Sequence, residues 1–259
     1  PKESGRRRMP EPVLLKLGGS VLTEKGGQGR VMQENLAMLS REIAGHRKEQ
    51  LLIVHGAGSC GHPEAHRFQL MEGLTGQNLE GVFVTHQAVS RLNSIVVAAL
   101  REKGTEAIGI HPLDSCYAEN GRIVSMECRH IREMLSRGIV PVLHGDVVMD
   151  GMKGATIVSG DQLVSYLGHA LRFERIGLAT DVPGVLAGGA VIPVLTPQTI
   201  GQVRIGSSLH TDVTGGMEGK IRELLALARE GTCSEIFHVA QTGAFLEGRP
   251  HGGTVVRGG

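Results

Sequence analysis

Three glycine-rich segments of this chain carry lysine or histidine at spacings suited to holding phosphate. The first is Lys16-Leu17-Gly18-Gly19-Ser20. Glycines let backbone N–H groups approach phosphate oxygens, and a lysine adds charge. The second is His55-Gly56-Ala57-Gly58-Ser59-Cys60-Gly61-His62. Its glycines suit an anion-binding nest, and His62 is placed to donate a hydrogen bond to a phosphoryl oxygen. The third runs from Thr211 to Lys220, where glycines precede a helix expected to carry Lys220 in its first turn. A helix N-terminus attracts anions. Each segment alone has a plainer reading: Lys16 and Lys220 as solvated lysines, His62 as a histidine packed at a helix start. KLGGS is neither a Walker A loop nor a GxGxxG fingerprint. Ser59 and Cys60 have no GxSxG elbow and no identifiable partner base, which argues against hydrolysis. His62 and His66 have helical i,i+4 spacing, but HExxH and nearby acidic ligands are absent, so no protein metal site is expected.

The elements that position these segments follow from apolar patterning. Strands are predicted at Val13–Leu17, Leu51–Val54, Ala107–Ile110, Ile139–Leu143, Arg175–Ala179 and Glu235–Ala240. Helical spacing marks Glu34–His46, Val84–Leu100, Arg129–Arg137, Gly160–Leu171 and Lys220–Glu230. Alternating strands and helices predict an α/β fold, an open and mainly parallel sheet sandwiched between helices. Ligands of such sheets bind outside the carboxyl ends of the strands. Four strands run into KLGGS, VHGAGSCGH, LHGD and ATDVPG, so four turns at one edge point to one site. A soft boundary near Ala170–Glu174 divides an N-terminal substrate half (13–170) from a C-terminal nucleotide half (171–259). Residues 1–12 read as a disordered leader or an expression remnant, with Met9 a candidate natural start.

Composition removes several classes of function. The 259 residues carry 27 Lys+Arg against 26 Asp+Glu, a net charge of +1, which disfavours an electrostatic nucleic-acid binder. Five Phe, two Tyr and no Trp disfavour base stacking on aromatic platforms. No apolar run reaches the ~20 residues a membrane helix needs. Four widely spaced cysteines, with no CxxC, read as the reduced thiols of a cytoplasmic protein.

KLGGS, HGAGSxGH, SGDQ, TDVxGV and TDVTGGMxGK together resemble the amino-acid-kinase family, over about Val13 to Arg257. The His62 loop and TDVTGGMEGKIREL are most similar to its isopentenyl phosphate kinase branch. That resemblance implies transfer of a phosphoryl group from ATP, with Mg²⁺, to a phosphate monoester, by a cytoplasmic homodimer serving isoprenoid synthesis. It places Lys16, Leu17, Gly18, Gly19, Ser20, Gly58, Asp181, Gly216 and Lys220 at ATP. It places Ala57, His62 and Gly160 at the acceptor, and makes Lys25 a stabiliser of the transferring group. Lys16, Lys25, His62 and Lys220 are the implied catalytic residues. Two alternatives stay open: a small-phosphonate kinase of the fosfomycin-kinase type, and a non-catalytic nucleotide-binding protein of the same fold. Cys60 and Pro183 depart from the family pattern, which often has Phe and an acidic residue there. Val82, Phe83 and Val89 are weak candidates for the acceptor's apolar tail.

Overall fold

The computed structural model describes residues 12–26, 29–46, 50–200 and 215–259. Residues 1–11 of the expected leader and Thr211–Thr214 of the third segment lie outside the described residues. In chain order the elements are β1 (Val13–Leu17), α1 (Gly19–Leu22), α2 (Gln33–Gly45), β2 (Leu51–His55), α3 (Gly58–Arg67), α4 (Leu79–Glu102), β3 (Ala107–Gly109) and α5 (Pro112–Ser115). Next come β4 (Cys116–Glu119), β5 (Arg122–Met126), α6 (Arg129–Ser136), β6 (Val140–His144), β7 (Asp146–Asp150), β8 (Gly154–Val158), α7 (Gly160–Leu171) and β9 (Arg175–Thr180). The chain continues through β10 (Leu186–Ala187), β11 (Ala190–Val191), β12 (Val194–Leu195), α8 (Gly215–Arg229), β13 (Ser234–His238), α9 (Thr242–Leu246) and β14 (Thr254–Val256).

β1, β2 and β6 are buried at every position. Continuous burial is what aliphatic runs signal in a sheet covered on both faces. The main sheet has the order β12-β14-β13-β9-β1-β2-β6-β3. All its pairings are parallel except β13 with β14. β9 pairs directly with β1, Val13 opposite Arg175, so the sheet is continuous across residues 170–174. Alternate side chains serve opposite layers. Val13, Leu15 and Leu17 join α2 and α4 in one core cluster, while Leu14 faces the cluster built with α7 and α8. Lys16 therefore emerges on the α7/α8 face.

A second sheet, β5-β4-β7-β8, was not foreseen from sequence. β7 follows β6 after Gly145 alone, and β8 returns antiparallel to deliver Ser159 and α7 to the edge of the main sheet. α4 starts five residues before the predicted Val84, because Leu79 and Phe83 are 58% and 62% exposed and break the apolar stripe. α8 starts at Gly215, so Lys220 sits in its second turn rather than its first.

Candidate active site

The C-terminal ends of β9, β1, β2 and β6 lie side by side, and the glycine segments pack backbone against backbone. Gly18 N–H donates to Ala179 O at 2.9 Å, Gly56 N–H to Leu17 O at 3.0 Å, and Gly145 N–H to His55 O at 3.0 Å. A β-carbon on Gly19 would lie 2.5 Å from Gly58 N, closer than any real contact allows. Gly58 has φ +53°, and a side chain there would strike Thr23 Oγ1. Only glycine permits this approach. Thr23 Oγ1 bridges the loops, donating to Gly19 O and accepting from Ser59 N–H.

The predicted residues gather into three groups. Lys16 and Lys220, 5% and 8% exposed, converge on one carboxylate. Asp161 Oδ1 lies 2.6 Å from Lys16 Nζ and 3.2 Å from Lys220 Nζ. The cause is local. Ser159 caps α7 by accepting Gln162 N–H at 3.1 Å, which fixes Asp161 in the first turn on the face that looks at Lys16. Burial drives the Lys16 pKa down and Lys220 lowers it further; against the pull of Asp161 it settles at about 8. Burial alone would raise the Asp161 carboxyl, but the two ammonium groups overcome it and hold it below the usual range. Gly160 adjoins them: a β-carbon there would lie 3.1 Å from Lys16 Cε.

The second group is Ser20, Lys25 and Asp181. Asp181 accepts from Ser20 Oγ at 3.0 Å and pairs with Lys25 Nζ at 2.8 Å. These contacts outweigh burial and keep the Asp181 carboxyl below its ordinary range. Lys25 is 78% exposed, so its ammonium reaches solvent.

The third group is α3 with its preceding loop. Ala57 caps α3 in helical backbone geometry, and His62 stands exposed one turn in. Among the described residues the His62 ring makes no hydrogen bond. Desolvation and the charge of Lys16 push its pKa below the ordinary histidine value. Cys60 contacts Gly29 O through Sγ at 3.5 Å, while Ser59 Oγ accepts Gly29 N–H at 3.2 Å. Together they fasten α3 to the loop bearing Lys25.

Other predicted residues contribute differently. The Leu17 side chain is 1% exposed in the α2/α4 core, so only its backbone faces the loops. Gly216 falls in the first turn of α8. Pro183 is exposed in the turn after Asp181. Val89 is buried and fills the space beside Gly61, Phe83 points to solvent, and Val82 packs on the small Leu70–Val147–Ala155 cluster. Asp161 is the residue missed from sequence, and SGDQ ahead of an apolar helical run was its available signal.

The set suits a polyphosphate. Two buried ammonium groups share one carboxylate, glycine-lined helix starts face the same edge, and a further exposed lysine and histidine flank them. Among the described residues, no group of three or more His, Cys, Asp or Glu is arranged to hold a metal ion.

The amino acid kinase family model matches residues 11–237. Isopentenyl phosphate kinase of Haloferax volcanii is 42% identical over 95% of this chain and 98% of its own length. The enzyme of that name from Methanothermobacter thermautotrophicus is 39% identical over 89% and 92%. A crystal structure of isopentenyl phosphate kinase superposes with TM-score 0.82 at 35% identity, covering 94% of this chain and 99% of that one. The chain belongs to the amino acid kinase family, on its isopentenyl phosphate kinase branch.

Proposed function

We infer that this protein transfers the terminal phosphoryl group of ATP to isopentenyl phosphate, giving isopentenyl diphosphate and ADP. The observation that carries this reading is the division of the cationic groups. The Lys16–Asp161–Lys220 cluster is buried and prearranged, whereas His62 stands exposed at α3 with no hydrogen-bond partner among the described residues. A donor polyphosphate and a separate phosphate acceptor each then have a site.

The acceptor nucleophile is already a phosphate oxygen, largely ionised at neutral pH, so no strong general base is needed. Phosphoryl transfer instead asks for alignment and charge neutralisation. In this reading His62 and the Ala57 N–H hold the acceptor's phosphate. Lys16 and Lys220 hold the transferring group, with Asp161 keeping both at one spacing. Lys25, released from Asp181, reaches the same group as charge develops. Ser20 and the Gly18–Gly19 backbone face the nucleotide phosphates. Mg²⁺ bound with ATP would offset further negative charge. The branch also implies a cytoplasmic homodimer, which sedimentation of the purified protein tests.

An ADP-release assay with isopentenyl phosphate tests the reaction. Turnover with that acceptor is expected; none with it, alongside turnover of another phosphate or phosphonate, would replace the substrate assignment.

A further inference from the structure

On the α4 face of the same sheet edge lies a set of histidines that the phosphate-binding scheme leaves unused. β2 and β6 both end in a His-Gly pair, and His55 sits in register with His144. Both side chains are fully buried, and their rings stack with centroids 5.6 Å apart. Each makes the same local bond: His55 Nδ1 lies 3.0 Å from Gly56 O, and His144 Nδ1 lies 3.0 Å from Gly145 O. A carbonyl oxygen only accepts, so Nδ1 carries the proton in both rings. Burial holds both imidazoles neutral, which leaves each Nε2 an acceptor. Their surroundings supply donors. His111 Nδ1 approaches His144 Nε2 at 2.8 Å. Asn93 Oδ1 lies 3.1 Å from His55 Nε2. A neutral ring that already donates through Nδ1 to Gly56 O can only accept at Nε2, which requires the Asn93 amide turned end for end, its NH₂ toward the ring.

This bond has a consequence at the acceptor loop. The carbonyl of Gly56 and the N–H of Ala57 belong to one planar trans peptide and point in opposite directions. With the Gly56 oxygen drawn down onto a buried ring, the Ala57 N–H is turned outward. Among the described residues that N–H has no partner, and the Ala57 nitrogen lies 3.8 Å from where a β-carbon on Gly145 would stand. Gly56 N–H, in the preceding peptide, is tied to Leu17 O and anchors the loop there, while the His55 bond to Gly56 O is what opposes rotation of the Gly56–Ala57 peptide itself.

We propose that His55 is a positioning residue: its Nδ1–H locks the Gly56–Ala57 peptide so that the Ala57 N–H is presented to the acceptor phosphate, with His144 repeating the device on the neighbouring strand and bracing the ring by stacking. The proposal rests on the reading of Ala57 as an acceptor contact. It assigns work to a histidine that touches neither substrate.

Two chemically distinct replacements test it. An asparagine amide nitrogen falls near the place of Nδ1 and can still reach Gly56 O, whereas a glutamine amide reaches toward the place of Nε2 and cannot. His55→Asn is expected to keep the acceptor KM within about threefold of wild type, whereas His55→Gln raises it on the order of 10–100-fold, the loss of one N–H bond to a charged group. The ATP KM should stay within about twofold in both, since nucleotide contacts are untouched. Equal effects of Asn and Gln, or an ATP KM that rises with the acceptor KM, overturn the proposal. A second measurement needs no mutation: ¹⁵N spectra of histidine-labelled wild-type protein at neutral pH should show His55 with its proton on Nδ1. A proton on Nε2 overturns the proposal even if neither variant folds. Failure of wild-type protein to phosphorylate isopentenyl phosphate would instead remove the functional reading, and the KM comparison then uses whichever phosphate acceptor is turned over.

Discussion

Replacing Asp161 by Asn removes the single carboxylate between Lys16 and Lys220 while preserving shape. The carboxylate lies 2.6 Å from Lys16 Nζ and 3.2 Å from Lys220 Nζ. Breaking a buried ion pair from one side ordinarily costs ~3–5 kcal/mol. Lys16 has an escape that reduces this. Its pKa already lies at about 8 against an ordinary 10.5. At ~1.36 kcal/mol per pKa unit, holding the charge in the fold costs about 3 kcal/mol even with Asp161 present. Without Asp161 the pKa falls further, and at neutral pH the side chain sheds its proton. From about 8 down to neutrality is one further unit, so the additional loss through Lys16 is capped at about 1 kcal/mol. A total destabilisation of about 1–3 kcal/mol is expected, read as a lowered urea midpoint.

The catalytic loss should be disproportionate, because the escape removes the charge that phosphoryl transfer uses. kcat/KM for ATP should fall on the order of 10²–10³ at neutral pH. This parameter reports ionisations of the free enzyme. The wild-type profile should decline as pH rises through about 8, where Lys16 deprotonates. In Asp161→Asn that descending limb moves to lower pH, so acidification recovers part of the activity. An Asp161→Asn protein with wild-type kcat/KM and an unmoved descending limb would refute the reasoning.

Three further outcomes are expected. Gly19→Ala forces a β-carbon to 2.5 Å from Gly58 N and should cost about 1–3 kcal/mol in urea unfolding together with most activity. Lys25→Ala, at a side chain 78% exposed, should leave the urea midpoint unchanged while kcat falls on the order of 10²–10³; an unchanged kcat removes Lys25 from the reaction. Lys16→Met should flatten a pH dependence of stability. The folded lysine gives up its proton near 8 and the unfolded one near 10.5, so between these values the unfolded chain binds more protons and wild-type stability rises with pH; a wild-type protein lacking that rise would contradict the buried charge.

Much of the main sheet was legible because its strands are short aliphatic runs flanked by amphipathic helices, and burial on both faces writes that pattern directly. The second sheet was not. β4 alternates buried and exposed residues over four positions, and β5 is mostly exposed, so neither stands out as a strand. α1 is four residues long, below the length at which helical spacing shows. Within the site, the lysines and glycines announce themselves because their spacing is local. Asp161 does not, since its meaning comes from Lys16 at a separation of 145 residues and Lys220 at 59. Gly56, Gly58 and Gly61 do carry a local signal, three glycines within the eight residues from His55 to His62. His55 and His144 each look like one histidine at a strand end. Their stack exists only because β2 and β6 are neighbours in register.

The parity of the strand ends explains why one edge supports two unlike chemistries. β1 and β2 pair with Leu17 opposite His55 and Lys16 opposite Val54. Lys16 and Val54 therefore share the α7/α8 face, while Leu17 and His55 share the α4 face. The lysine lies one residue before the end of its strand and the histidine at the end of the next. Charge is thus delivered to one side of the sheet and the neutral imidazole stack to the other, with the glycine loops between them. A slip of one residue in either strand would exchange the faces, putting Leu17 against Asp161 or Val54 beneath the acceptor loop. The buried aliphatic residues that hold this register, Leu14 and Leu52 on one side and Leu15 and Ile53 on the other, are in that sense as much a part of the site's specification as the lysines and glycines at its edge.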